Sequence, residues 1–210
     1  MSKYNELVNL DINKKNLLIR EDLNVPIKNN KIINDARIKA AIPTIRYALS
    51  KGAKIAITSH LGRPVEGKFD KKYSLKIIAE RLSSILGKED FFEEHLLDIK
   101  SPEYTNDITL DENTRFLVGE KSADEDLAKK IAANCDVFVM DAFGASHREH
   151  ASTYTVSKYA PVSCGGLLLM NEIRSIEKIF MNPKKPVLAI IGGSKVSTKL
   201  NILKKLIGKV

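Results

Sequence analysis

Short, unbroken apolar runs recur along the whole sequence: NLLIR (16–20), AKIAIT (53–58), RFLV (115–118), DVFVMD (136–141) and PVLAII (186–191). A strand with one face in water alternates apolar and polar residues, whereas a continuous run suits a strand covered on both faces. Such strands need helices above and below them, and helix patterns lie between the runs. Ser74 can cap one whose apolar positions are Leu75, Ile78, Ala79, Leu82 and Leu86, with Gly87 just past its end. Asp124 opens another carrying Leu127 and Ile131. In IPTIRYALSKG, Pro43 suits a first helical position better than an interior one. The alternation predicts an α/β fold: a parallel sheet with helices on both faces and right-handed crossovers, of Rossmann-like type.

One boundary shows in the pattern. MNEIRSIEKIFMNPKKP (170–186) reads as a helix with Ile173, Ile176 and Phe180 on one face, ended by Pro183 and Pro186. A fresh strand–turn–helix pattern follows. The expected division is a domain over 1–169, a connecting helix and hinge over 170–186, and the start of a second domain over 187–210. No repeat or low-complexity tract interrupts this plan.

Composition narrows the function classes. No apolar run is long enough to span a bilayer, and the opening MSKYNELVNLDINKKN has no apolar core of a secretory signal. Cys135 and Cys164 sit in apolar contexts and are expected as free thiols, which together predicts a cytoplasmic protein with no membrane partner. The net charge is +8, but only eight basic residues are arginine, there is no Trp, and no element carries a crowded basic stripe. Nucleic acid is therefore not the expected partner.

In open parallel sheets, ligands bind beyond the carboxyl ends of the strands. Arg20, Asp22 and Asn24 follow the first run; His60 and Arg63 lie in SHLGRP (59–64) after the second; His147, Arg148 and His150 lie in AFGASHREHAS (142–152) after the fourth. Arg37 falls between the first strand and the next helix, and Arg115 opens its run and could project from either end. Each arginine alone could simply pair a local acid, since surface ion pairs are common and weak. Five together favour an anion site, because guanidinium forks match carboxylate and phosphate oxygens bidentately. A small acid carrying both groups would suit it, with Asp22 and Asn24 orienting a hydroxyl or holding the arginines. His147 and His150 are three apart, but no HExxH pattern or cysteine pair accompanies them. They are expected to hydrogen-bond near an anion rather than to hold a metal.

The segment AIIGGSKVSTKL (189–200) lacks the spacing of a Walker A loop. It does offer glycines at a strand end and a helix from about Val196, with Lys195 and Lys199 one turn apart, which suits a phosphate.

LLIREDLNVPI, DARIKAAIPTI, SHLGRP, DENTRFLVGE, DVFVMDAFGASHREHAS and PVLAIIGGSKVSTKLNIL together resemble, in order and spacing, the successive motifs of the phosphoglycerate kinases, over the whole chain. The resemblance implies a two-domain kinase, usually monomeric, moving a phosphoryl group between 1,3-bisphosphoglycerate and ADP, with Mg²⁺. In reverse the substrates are 3-phosphoglycerate and ATP. By motif position, Asp22, Asn24, His60, Arg63, Arg115 and Arg148 would hold 3-phosphoglycerate, with Arg20 in support. Arg37 would face the transferring phosphoryl group, Lys195 would stabilise it from the second domain as the domains close about 170–186, and Lys199 would contact nucleotide phosphates. Glu21 stands where the resemblance leads one to expect an apolar residue, and Ser194 and Thr198 vary the lysine turn. Family chains are longer, and their later glycine-rich motifs and metal-ligating Asp are not within these 210 residues. The metal and most nucleotide ligands are thus expected elsewhere. Three readings remain: part of a transferase inactive alone, a 3-phosphoglycerate-binding module without catalysis, or an anion or nucleic-acid binder. On the first two, the isolated chain lacks turnover, and 187–210 should be mobile, swapped or packed non-natively.

Overall fold

Burial along the strands sorts side chains into two separate cores, and that sorting positions everything else. The computed structural model describes residues 4–89, 91–93, 106–133, 135–181, 186–188, 190 and 204. In chain order its elements are β1 (Asn16–Arg20), β2 (Ile27–Lys28), β3 (Lys31–Ile32), α1 (Ala36–Ser50), β4 (Lys54–Thr58), α2 (Lys76–Leu86) and β5 (Phe92–Glu93). There follow β6 (Ile108–Asp111), α3 (Glu125–Ala132), β7 (Val137–Met140), α4 (Phe143–Ser146), β8 (Val162–Gly165) and α5 (Leu167–Met181). Six strands form one sheet in the order β5-β6-β4-β1-β7-β8, every pair parallel. β2 and β3 make a separate antiparallel hairpin.

Odd-numbered residues of the central strands (Leu17, Ile19, Ile55, Ile57, Val137, Val139) pack with Ile38, Ala41 and Ile45 of α1 and Ile78 and Leu82 of α2. Even-numbered residues (Leu18, Ala56, Phe138) pack on the other side with Leu127, Ala128 and Ile131 of α3. The sheet is thus covered on both faces, as its unbroken apolar runs require. Each fully buried Leu or Ile contributes about 1.5–3 kcal/mol of transfer free energy. The chain divides into two compact units, Met1–Met170 and Asn171–Val210; the sheet lies within the first.

Local chemistry explains the helix ends. Asp124 accepts from the Leu127 backbone N–H at 2.7 Å, capping α3 as its sequence predicts. Ser74 accepts from Lys76 N–H at 3.2 Å at the start of α2, and Gly87 ends it in the left-handed conformation, φ 67°. Two expectations are corrected. Pro43 lies inside α1 rather than at its first position. It is exposed while Ile42, Thr44 and Ile45 beside it are buried, so the docked face holds the helix and water can satisfy the carbonyl the ring leaves unpaired. The strand expected over 115–118 is instead β6, and Thr114–Phe116 form a 3-10 turn whose Arg115 N–H donates to the Asn113 side chain at 3.1 Å. An Asn side chain offering the backbone a local acceptor competes with strand pairing.

The helix expected over 170–186 begins earlier, as α5, and exposes Ile176, Ile179, Phe180 and Met181. Of the strand expected over 186–191, residues 186–188 and 190 are described and carry no strand, with Leu188 and Ile190 exposed. Most of 187–210, including Ser194, Lys195, Val196, Thr198 and Lys199, lies outside the described residues. Replacing the α3 cap, Asp124→Ala, should lower unfolding free energy by about 1 kcal/mol with an unchanged denaturant m-value. An unmoved midpoint would show that the cap contributes nothing.

Candidate functional site

At the carboxyl end of β1 the two-residue period sends consecutive charged residues to opposite faces. Arg20 falls on the α3 side and is almost wholly buried. Its Nε donates to Ser152 Oγ at 3.1 Å, one terminal nitrogen donates to the Glu21 carbonyl, and the other lies 3.2 Å from His60 Nδ1. Ser152 in turn donates its hydroxyl to Glu120 Oε1 at 2.6 Å and its backbone N–H to Oε2 at 3.0 Å. His150 Nδ1 stands 3.7 Å from the same carboxylate. Burial pushes the Glu120 carboxyl upward, but His150, Arg20 and Ser152 outweigh it and hold the group below its ordinary value.

Around this buried pair the cationic groups gather. Burial, then the charges of Arg20, Arg115, Arg148 and His150, push the His60 imidazole down to about 2. Burial, then Arg148 and Arg20, with Arg63 also contributing, lower the Arg115 guanidinium. Arg115 donates to the Gly62 carbonyl, and its Nε is buried without a partner. An unpaired buried guanidinium nitrogen is costly unless an acceptor oxygen, of water or of a ligand, reaches it. Gly62 also donates its N–H to Asn24 Oδ1 at 2.9 Å. Its φ of 61° and the Tyr73 ring, 2.3 Å from where a Cβ would sit, require glycine there. Asp22 accepts from Asn24 N–H at 3.3 Å and from the exposed Arg37 at 2.7 Å.

The other face carries a feature sequence reading did not foresee. Glu21, expected to be apolar by resemblance, is fully buried beside Asp141, the residue after β7. As bare carboxylates the two leave Glu21 Oε1 and Oε2 and Asp141 Oδ2 buried and unpaired. A proton kept on Glu21 gives the pair its donor. Burial, then the Asp141 charge, raise the Glu21 carboxyl well above its usual range. Asp141, raised by burial to about 6, accepts from Leu169 N–H at 2.9 Å. β1 and β7 are where successive sheet connections diverge to opposite sides, the usual ligand crevice of such sheets.

The described residues therefore bring His60, Arg63, Arg115 and Arg148 into one electrostatic neighbourhood, with Asp22, Asn24 and Arg37 linked to it through Gly62 and Arg20. Arg115 reaches it from the loop after β6, on the carboxyl edge. His147 is exposed. Sequence reading missed Glu120 and Ser152, whose only signal was their place inside two of the quoted motifs. Among the described residues no cluster of three or more His, Cys, Asp or Glu side chains could hold a metal ion. Cys135 and Cys164 are buried free thiols, and no described helix is long and apolar enough to cross a membrane.

The family model described as phosphoglycerate kinase matches residues 7–210. The chain belongs to the phosphoglycerate kinase family. A phosphoglycerate kinase of Francisella tularensis subsp. holarctica is 50% identical over 207 residues, covering 97% of this chain and 52% of the relative. One from Francisella philomiragia is 51% identical over the same length and shares. The solved phosphoglycerate kinase of Coxiella burnetii superposes with a TM-score of 0.90 at 44% identity, over 99% of this chain and 53% of that one. That of Pyrococcus horikoshii gives 0.80 at 28% identity, over 97% and 52%. The chain thus spans about half the length of the phosphoglycerate kinases it matches.

The buried carboxyls set a pH dependence for this phosphoglycerate kinase chain. A carboxyl with a raised folded-state pKa holds its proton more tightly folded than unfolded, so its stabilisation is complete below the unfolded value and lost as pH rises through the folded one. Glu21, Asp141 and Asp111, the last raised by burial to about 7, all act this way. Glu120, with a lowered pKa, acts oppositely and below this window. His60, kept neutral down to about pH 2, acts oppositely within the window, favouring the folded chain more as pH rises to about 6.5. The carboxyls are therefore read by difference: the melting temperature of Glu21→Gln minus that of the unaltered chain should rise from about pH 4.5 to about pH 7. A variant curve parallel to that of the unaltered chain would rule out the protonated pair.

Proposed function

We propose that this chain supplies the acid-binding side of phosphoryl transfer between 1,3-bisphosphoglycerate and ADP, holding 3-phosphoglycerate at the carboxyl edge of the sheet. The observation that carries the reading is the gathering of Arg20, Arg115 and Arg148 about the buried His60, with Arg63 beside Arg115. His60, Arg63, Arg115 and Arg148 hold the acid's anionic groups, and Asp22 and Asn24 orient its hydroxyl. Arg37, exposed and tethered only through Asp22, faces the transferring phosphoryl group. Lys195 and Lys199 are proposed, on the resemblance alone, for the transferring group and the nucleotide phosphates.

Phosphoryl transfer asks the protein for alignment and for cations around the equatorial oxygens, with no protein nucleophile. An arginine cluster with buried members meets the first part of that demand for the acceptor acid. MgATP or MgADP supplies the phosphoryl donor or acceptor when bound. A binding module without catalysis is the second reading, favoured by a match to about half of each relative.

Calorimetric titration of the 210-residue chain with 3-phosphoglycerate is expected to show one site, weakened at least about tenfold by Arg148→Ala through loss of a charge-assisted pair. A coupled kinase assay on the same chain is expected to show no turnover. Absence of acid binding, or equal binding by Arg148→Ala, would overturn the assignment; ordinary turnover by the purified chain would overturn the inactivity. Salt-dependent RNA binding in place of acid binding would favour the nucleic-acid alternative.

A further inference from the structure

We propose that Arg20, clamped by Ser152 and Glu120, is a positioning residue that fixes His60 in the tautomer with its proton on Nε2, so that His60 meets the bound acid as an uncharged donor. The tautomer follows from the chain's own atoms; its use in binding rests on the 3-phosphoglycerate reading above.

The polarity is set from one end. Glu120 is buried and held anionic, so both its oxygens accept. Ser152 has one hydroxyl proton, and it points at Glu120 Oε1, 2.6 Å away. Ser152 Oγ therefore presents a lone pair to Arg20 Nε at 3.1 Å. A guanidinium can only donate. The Arg20 nitrogen 3.2 Å from His60 Nδ1 consequently requires a lone pair on that nitrogen, which leaves Nε2–H as the ring's one remaining donor. Arg20 has no freedom to turn aside, because its three nitrogens are engaged by Ser152, the Glu21 carbonyl and His60.

The surrounding charges close the alternative of a cationic ring. The charges of Arg20, Arg115, Arg148 and His150 all act on His60, and protonating Nδ1 would aim two donors, His60 and Arg20, at each other. Division of labour results: the arginines supply charge, and His60 supplies one directional hydrogen bond to an oxygen. In the other tautomer it would turn a lone pair towards that anionic oxygen, a repulsive contact in place of a bond.

The test is ¹⁵N NMR of histidine-labelled chain, with the His60 signal assigned by its loss in His60→Asn. The expected spectrum shows an unprotonated Nδ1 and a protonated Nε2, unchanged from neutral pH down to about pH 4. Ser152→Ala should populate the other tautomer and weaken 3-phosphoglycerate binding about tenfold, and Ser152→Thr, which keeps the hydroxyl, should restore both. An Nδ1–H or cationic His60 in the unaltered chain overturns the proposal, whatever the variants do. So does Ser152→Ala with unchanged tautomer and affinity. If the unaltered chain shows the Nε2–H form but takes up no 3-phosphoglycerate, the tautomer lock stands and the substrate reading falls.

Discussion

The site depends on the two-residue period of a parallel strand carried one step past its end. Leu17 and Ile19 face α1 and α2, Leu18 faces α3, and the same alternation delivers Arg20 to the α3 side and Glu21 to the α1 side. A sheet edge thus separates two buried ionisable groups of opposite character by a single peptide unit. Arg20 finds an anion in Glu120, and Glu21 finds only another carboxyl in Asp141 and keeps its proton instead. A shift of register by one residue would bury the guanidinium against carboxyls and leave Glu120 without its cation.

That arrangement holds the buried members of the candidate site in place. Arg20, His60 and Arg115 are buried, and hydrogen bonds from backbone and side chains hold each one. Several like charges held close together are costly in the empty protein. Glu120 offsets part of that cost, and on the proposed function a bound anion would relieve more of it. Arg63 and Arg37 are exposed, and they retain the freedom that a site must keep if ligand is to enter and leave. The buried members set geometry while the exposed ones complete the contact.

Most of the plan could be read from residue order alone. Unbroken apolar runs imply a doubly covered parallel sheet, and the carboxyl-edge rule then gathers Asp22, Asn24, His60, Arg63 and Arg148 from sequence alone. Arg115 was harder, because RFLV is as apolar as a strand, and only the Asn113 side chain capturing its N–H turns it into a tight bend. Pro43 misled for a related reason: local propensity argues against an interior proline, yet the docked face of α1 holds the helix through it. Glu120 and Ser152 carried no signal beyond their place at the ends of two motifs. Their importance comes from Ser152 meeting Arg20 132 residues away and holding Glu120 in turn, which no spacing rule encodes.

The most direct measurement is amide chemical-shift mapping of the chain as 3-phosphoglycerate is added. A preformed acid site at the carboxyl edge predicts that the largest shifts cluster in residues 21–24, 60–63 and 143–150, with residues at the opposite edge, 14–16 and 52–54, unmoved. Shifts scattered over the exposed lysines, or concentrated at that opposite edge, would contradict it.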